Sequence, residues 1–452
     1  MTRAWRWPLA GFVLGSLVGA TFLTVNVVGA SRPARPEAAS SSTGEVLHTP
    51  PLLVQAGRPV ELEYGVVCAP REESDGECAP QGSVFVRSAG TIDFEELPLA
   101  REPEGRISVE VPPGHSDGAG FEYYAQIDTG GREPAIVPAG AADAPQHAWS
   151  VASWTSVDLG VHRFGETEAP SSILAEFSWG KGPRMLGLDS GREQSRIGPS
   201  AFDIAPDGSA VVLDQVNDRL LVTRANPDPR ELPIEFGGGE GDLAVEADGT
   251  IYVLEVGSAG AGPVVRSYSR SGDLIAGTPL AEPVADMVRV GPDGPLVHAY
   301  PSEMWLPTGS GRPPLAPEEQ IVGARAGRSV AGGLAVVVRA SPDEAKLALV
   351  QGDRVTRSWV VRSSTNLGEV QLAEPYGDGL LVVVRVWTET VAEFQVLRLT
   401  PDGVAGSFAV DRAEWAETAS LSRFRLHGRT LYQLRSAPSG VEIAAYEIGG
   451  PR

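Results

Sequence analysis

The chain has 452 residues, a net charge of −21 and a pI near 4.8. That length gives two domains room for their own cores, and the charge argues against a nucleic-acid partner, because a phosphate backbone would be repelled and no Lys/Arg stripe offsets the repulsion. With 53 Gly, 37 Pro and few runs of helical period, many short strands joined by turns are expected.

Arg3 and Arg6 precede an apolar run from Trp7 to Val28, which ends in the small residues Gly29 and Ala30. A positive start, an apolar segment and a small-residue cleavage site make residues 1–30 an export signal. The run approaches the roughly 20 residues that span a bilayer, so an uncleaved membrane anchor with the arginines inside stays open. Either way the body is expected outside the cytoplasm: secreted, periplasmic or anchored. Residues 31–49, rich in Ala, Ser, Pro and Glu, read as a flexible linker.

Over residues 50–151, short alternating segments recur at the spacing of a β-sandwich: Val60 to Tyr64, Ser83 to Arg87, Arg106 to Val111 and Phe121 to Ile127. The last of these, with the Asp128-Thr-Gly-Gly turn after it, resembles the closing strands of immunoglobulin-like and fibronectin-like modules. Cys68 and Cys78, the chain's two cysteines, are expected to form a disulfide, worth roughly 2–3 kcal/mol for so short a loop. The acidic residues between them read as a solvated hairpin, since they lack the alternating oxygen ligands of a calcium loop. Gly114-His-Ser-Asp-Gly118 matches the Gly-x-Ser-x-Gly nucleophile elbow, but Pro112 and Pro113 precede it and a strand follows, so the strand-to-helix turn that makes such a serine reactive is missing.

Residues 152–452 carry a repeating pattern of strand, Asp-Gly turn, strand, polar turn, strand. It is clearest from Gly198 to Arg224. The turn glycines 208, 249, 294, 379 and 428 recur at intervals of roughly 40 to 50 residues, with one double interval, which is the period of a propeller blade. Six blades are expected. The sixth, Leu421 to Ile448, stops one strand short, and Ser172 to Trp179 is the strand expected to complete it and close the ring. The expected fold is thus all-β: an N-terminal β-sandwich followed by a six-bladed β-propeller. The phrase Phe202 to Leu220, with Asp214, Asn217, Arg219 and Leu220 after an Asp-Gly turn, resembles NHL-repeat propellers. The resemblance implies that Asp, Asn and Arg shape the turn, with Asn tolerating a left-handed backbone and Arg tying carbonyls together.

No reaction is written in the chain. It has no His-Glu-x-x-His, paired cysteine set, phosphate loop or dinucleotide fingerprint. The histidines are expected at surfaces and turns, not as ligands, and no cofactor or metal is expected. The reading is a non-enzymatic binding or scaffold protein that engages a protein or glycan partner outside the cytoplasm. The alternatives are a calcium-dependent lactonase or hydrolase of propeller fold, for which carboxylates would have to converge in the central channel, and a structural component of the cell envelope. The binding face is expected at the long loops Lys181 to Ser200, Gln215 to Asp218, Pro301 to Leu315 and Arg412 to Ala419. These hold Arg184, Arg192, Arg196, Trp305 and Trp415, residue types that dominate binding hot spots.

Overall fold

The computed structural model describes residues 44–68, 79–102, 106–131, 133–191, 195–224, 229–237, 240–256, 262–280, 285–291, 294–299, 304–308, 321–322, 333–351, 354–416 and 423–449. The export segment and most of the linker, Cys78, Arg192 and residues 309–315 lie outside them. No helix among the described residues is long and apolar enough to cross a membrane.

Two sheets build the N-terminal part. One orders Glu45–Leu47, Val60–Val67, Ile107–Val111 and Ala100–Arg101; the other orders Leu53–Gln55, Gln146–Val151, Gly120–Asp128, Gln81–Ser88 and Glu95–Pro98, with Ala135–Val137 also on Gly120–Asp128. Alternation drives the pairing: Leu62, Tyr64 and Ile107 from the first sheet and Val84, Phe121 and Tyr123 from the second fill one buried cluster. Cys68, just after Val60–Val67, is disulfide-bonded.

Among the described residues, five four-stranded sheets and one five-stranded sheet follow. Blade 1 is Ala201–Ile204, Ala210–Asp214, Arg219–Thr223 and Arg230–Pro233; blade 2 is Gly241–Val245, Ile251–Glu255, Val264–Tyr268 and Leu274–Pro279. Blade 3 is Ala285–Gly291, Gly294–Ala299, Met304–Pro307 and Ile321–Val322. Its third strand corrects an expectation. The segment read as a loop because of its Pro and Gly pairs with Gly294–Ala299, and Trp305 is buried there against the His298 ring, 1% exposed.

Blade 4 is Gly333–Ser341, Glu344–Gln351 and Arg354–Arg362, with Thr155–Asp158 added in parallel on its outer edge. Blade 5 is Asn366–Tyr376, Gly379–Trp387, Ala392–Thr400 and Gly403–Asp411. Blade 6 is Phe424–His427, Thr430–Ala437 and Gly440–Glu447, completed by Ser172–Trp179. This is the expected closure. The innermost strands touch in ring order from blade 4 through blades 5, 6 and 1 to blades 2 and 3. Leu306 of blade 3 packs on the cluster holding Ala348 and Val350 of blade 4.

The stretch from Thr155 to Trp179 runs as a belt over the outer edges of blades 4, 5 and 6. Between its two strands, the His162 ring and the Gly165 N–H both hold Glu393 of blade 5, at 2.8 and 2.7 Å, and the Glu168 N–H bonds Ala409. Leu52, Leu53, Trp149 and Val151 pack on Ala348 and Val350. Thr43–Arg452 is one compact unit.

Candidate functional site on the loop face

Each blade's second-to-third-strand loops and the connections between blades emerge on one face. At the junction of blades 6 and 1 that face is built by the chain that follows the closing strand. After Trp179 the backbone turns back, and Met185–Leu186 pairs in parallel with Ser178 and Trp179. Blade 1 holds this turn in place. Arg219 donates to the carbonyls of Lys181 (3.3 Å), Gly182 (3.1 Å) and Met185 (2.7 Å), and to the carboxylates of Asp214 (2.8 Å) and Glu231 (2.7 Å). Asn217 bonds the Gly180 carbonyl at 3.0 Å, and Asp214 accepts the Gly187 N–H at 2.9 Å. The Asp, Asn and Arg of the repeat-like phrase therefore tie a loop down, with Arg219 bridging carbonyls as expected. The left-handed residue is Asp218 (φ 52), next to the expected Asn217. Burial works against the Arg219 charge, but Asp214 and Glu231 outweigh it and hold the guanidinium above its ordinary value.

Two of the five side chains expected on this face, Arg196 and Trp415, come together, and Arg184 lines a pocket beside them. Arg196 lies over the Trp415 ring, 4.5 Å from its centroid, and donates to the Trp415 carbonyl at 3.0 Å. Trp415 in turn meets Trp179, ring centroids 5.9 Å apart, and the Trp179 indole N–H bonds Ala437 at 2.9 Å. Gly198 leaves this stack uncrowded: a Cβ there would come within 3.1 Å of Trp179 and 3.3 Å of Ala416. Beside the stack opens a pocket of about 580 Å³, walled by Arg184, Glu176, Arg435, Ser436, Ala437 and Glu442 among others. Arg435 pairs with Glu442 at 2.8 Å, yet its buried Nε has no partner among the described residues. Trp179 was missed from sequence because it ends the closing strand and reads as a core residue. Trp305 is not part of this face.

Charged side chains from the innermost strands of four blades meet in the central channel. Asp203, Asp242, Arg289 and Arg425 stand on or beside the innermost strands of blades 1, 2, 3 and 6. Arg425 lies 3.5 Å from Asp203 and 3.3 Å from Asp242, and Arg289 lies 2.6 Å from Asp242. Backbone N–H groups of Ile204 and Val245 complete Asp203, and that of Val288 serves Asp242. Burial opposes the Arg289 charge, but Asp242, with Glu374 and Asp203, holds it above its ordinary value. Carboxylates do converge in the channel, then, but on guanidinium groups.

His115 and His427 sit at turns as expected, whereas two histidines depart from the expected surface and turn positions. His147 and His298 are buried; His115, His162 and His298 bond Glu95, Glu393 and Asp286 at 3.0, 2.8 and 2.7 Å. Among the described residues no group of three or more His, Cys, Asp or Glu side chains is placed to hold a metal. Ser116, centre of the elbow-like phrase, is fully buried with its hydroxyl on the carbonyls of Arg58 (2.7 Å) and Pro113 (2.9 Å). It has no role as a nucleophile there.

No protein-family model matches the chain, and no curated protein matches it. Similar solved structures include an exported protein from Bacteroides fragilis, with 8% identity over 65% of this chain and 99% of that chain and a TM-score of 0.38. A protein of unknown function from Bacteroides thetaiotaomicron has 8% identity over 90% of this chain and 99% of that chain, with a TM-score of 0.37. Virginiamycin B lyase from Staphylococcus aureus, solved with quinupristin, has 8% identity over 57% of this chain and 97% of that chain, with a TM-score of 0.33. Likenesses this distant carry no argument about activity, and the blade arrangement rests on the strand pairing described above.

Proposed function

We propose that this is an exported, non-enzymatic binding or scaffold protein that engages a protein or glycan partner through the loop face at blades 6 and 1. The observation that carries the reading is the Arg196–Trp415–Trp179 stack, tied through the Trp179 indole to Ala437 in the wall of the 580 Å³ pocket. Flat aromatic surface beside guanidinium groups suits both a sugar ring and a peptide side chain. Export rests on the N-terminal segment of Arg3 to Ala30, with residues 31–49 as a tether and the immunoglobulin-like module as a spacer. A calcium-dependent hydrolase is less well supported, since Asp203 and Asp242 are already neutralised by arginines.

The test is cross-linking of the exported full-length protein in its own cells, followed by affinity measurement with the recovered partner. Arg196→Ala with Trp415→Ala should weaken binding about tenfold or more, the hot-spot range. Unchanged affinity in that double variant would remove the loop face from the proposal. Calcium-stimulated lactone hydrolysis by the purified protein would remove the non-enzymatic part.

A further inference from the structure

At the opposite, tight-turn end of the propeller, the junction of blades 1 and 2 encloses a second cavity of about 320 Å³. Its floor is the inter-blade core itself: Val211, Val245 and Ile251 are buried, and Val222 packs against them. Its mouth carries three guanidinium groups, Arg224, Arg230 and Arg270. Two of them converge on one acid, since Arg224 and Arg270 both hold Asp207 Oδ2, Arg270 at 2.7 Å. Arg230 donates to the Arg270 carbonyl at 2.5 Å and has no carboxylate partner among the described residues. Asp248 also lines the cavity, but its Oδ1 accepts the N–H of Thr250 within its own turn, at 2.8 Å. In a chain of net charge −21, three arginines against two acids, Asp207 and Asp248, over an apolar floor are a local excess of positive charge.

We propose that this cavity binds a small amphiphilic carboxylate, its head on Arg230 and Arg270 and its short hydrocarbon tail over Val211, Val222, Val245 and Ile251. The Asp207 carboxylate shows that two guanidiniums at this mouth can share one such group. The apolar floor gives the tail a place that leaves no polar group unpaired. A free short-chain acid and the C-terminus of a peptide present the same chemistry, and the experiment separates them.

Calorimetric titration of the full exported chain would use hexanoate, hexanamide, and a short peptide ending in leucine as its free acid or its amide. Hexanoate should bind and hexanamide should not, with the affinity falling as salt is added. Arg230→Ala should weaken hexanoate about tenfold, the worth of one charge-assisted hydrogen bond. Asp207→Asn should strengthen it, because it releases two guanidiniums while the amide oxygen still accepts the Ser209 hydroxyl. A purely structural cavity would not show that gain. Tighter binding of the peptide acid than of hexanoate assigns the site to chain ends, and the reverse order assigns it to free acids. Equal binding of acid and amide, the absence of saturable heat with any of the probes, or weaker binding in Asp207→Asn at a temperature where that variant is fully folded would each overturn the proposal.

Discussion

Arg219 shows how much a single side chain holds in this protein. It is almost fully buried beside Asp214, which is wholly buried, and it carries three carbonyls of the loop after the closing strand. Arg219→Ala should cost about 3–5 kcal/mol in urea denaturation, because a buried carboxylate is left without its partner. Arg219→Lys should recover only part of this, since an ammonium cannot span three carbonyls and two acids. A loss under about 1 kcal/mol for the alanine variant would mean that the loop is held elsewhere. Asp207 sets a limit in acid. The Ser209 hydroxyl, then Arg224, lower its carboxyl from 3.8 to about 2. A depressed folded value stabilises fully above the unfolded value and is lost as pH falls through the folded one. Asp207→Asn should therefore flatten the acid limb of the stability curve between about pH 4 and 2, and an unchanged limb would refute the assignment. The Cys68 bond is expected to be with Cys78; a non-reduced peptide digest showing Cys78 as a thiol would contradict it.

The ring closes because Ser172–Trp179 lies against Gly440–Glu447 and sends Ala175 and Phe177 into a cluster with Phe202, Val212 and Ile443. Gly440 makes the approach possible. Its φ is 151, and a Cβ there would lie 2.0 Å from the Phe177 carbonyl oxygen. Gly428, at φ 63, has open space around it. Gly440→Ala should thus cost about 1–3 kcal/mol more than Gly428→Ala, the range of an overpacked contact added to left-handed strain. Equal melting temperatures for the two variants would place the closure elsewhere. The outer strand of blade 4 works differently. Thr155–Asp158 runs parallel to Arg354–Arg362, and only the chain geometry after Val151 brings it there.

At the scale of the molecule, the expected boundary at residue 151 is crossed by a shared apolar contact. Trp149 is 3% exposed and sits with Leu52, Leu53 and Val151 against Ala348 and Val350. Trp154 caps this junction, its indole on Gln55 at 3.0 Å. The intact chain should melt in one transition. Trp149→Ala should remove about 3–5 kcal/mol and split it into two. Calorimetry that finds two transitions already in the unaltered protein would show that the two parts fold independently.

Local chemistry alone marked most of the propeller. Period-two alternation and Asp-Gly turns located the strands of blades 1, 2 and 5 to within a few residues, because both signals depend only on neighbours along the chain. The closing strand was legible for a related reason: Ser172 to Trp179 alternates like a strand and the sixth blade lacked one. Tertiary structure decided what depends on residues far apart. Met304–Pro307 is a strand, and Trp305 is buried, only because Gly294–Ala299 offers an edge to pair with. Asp203, Asp242, Arg289 and Arg425 read as scattered charges until the ring brings four innermost strands to one axis, where burial forces each charge to find a partner. At the loop face, residue type alone marks Arg184, Arg196 and Trp415, whereas the meeting of Arg196 and Trp415 with Trp179 beside the pocket that Arg184 lines follows from ring closure. A contact across more than two hundred residues, such as Arg196 on Trp415, leaves no periodic trace in the chain.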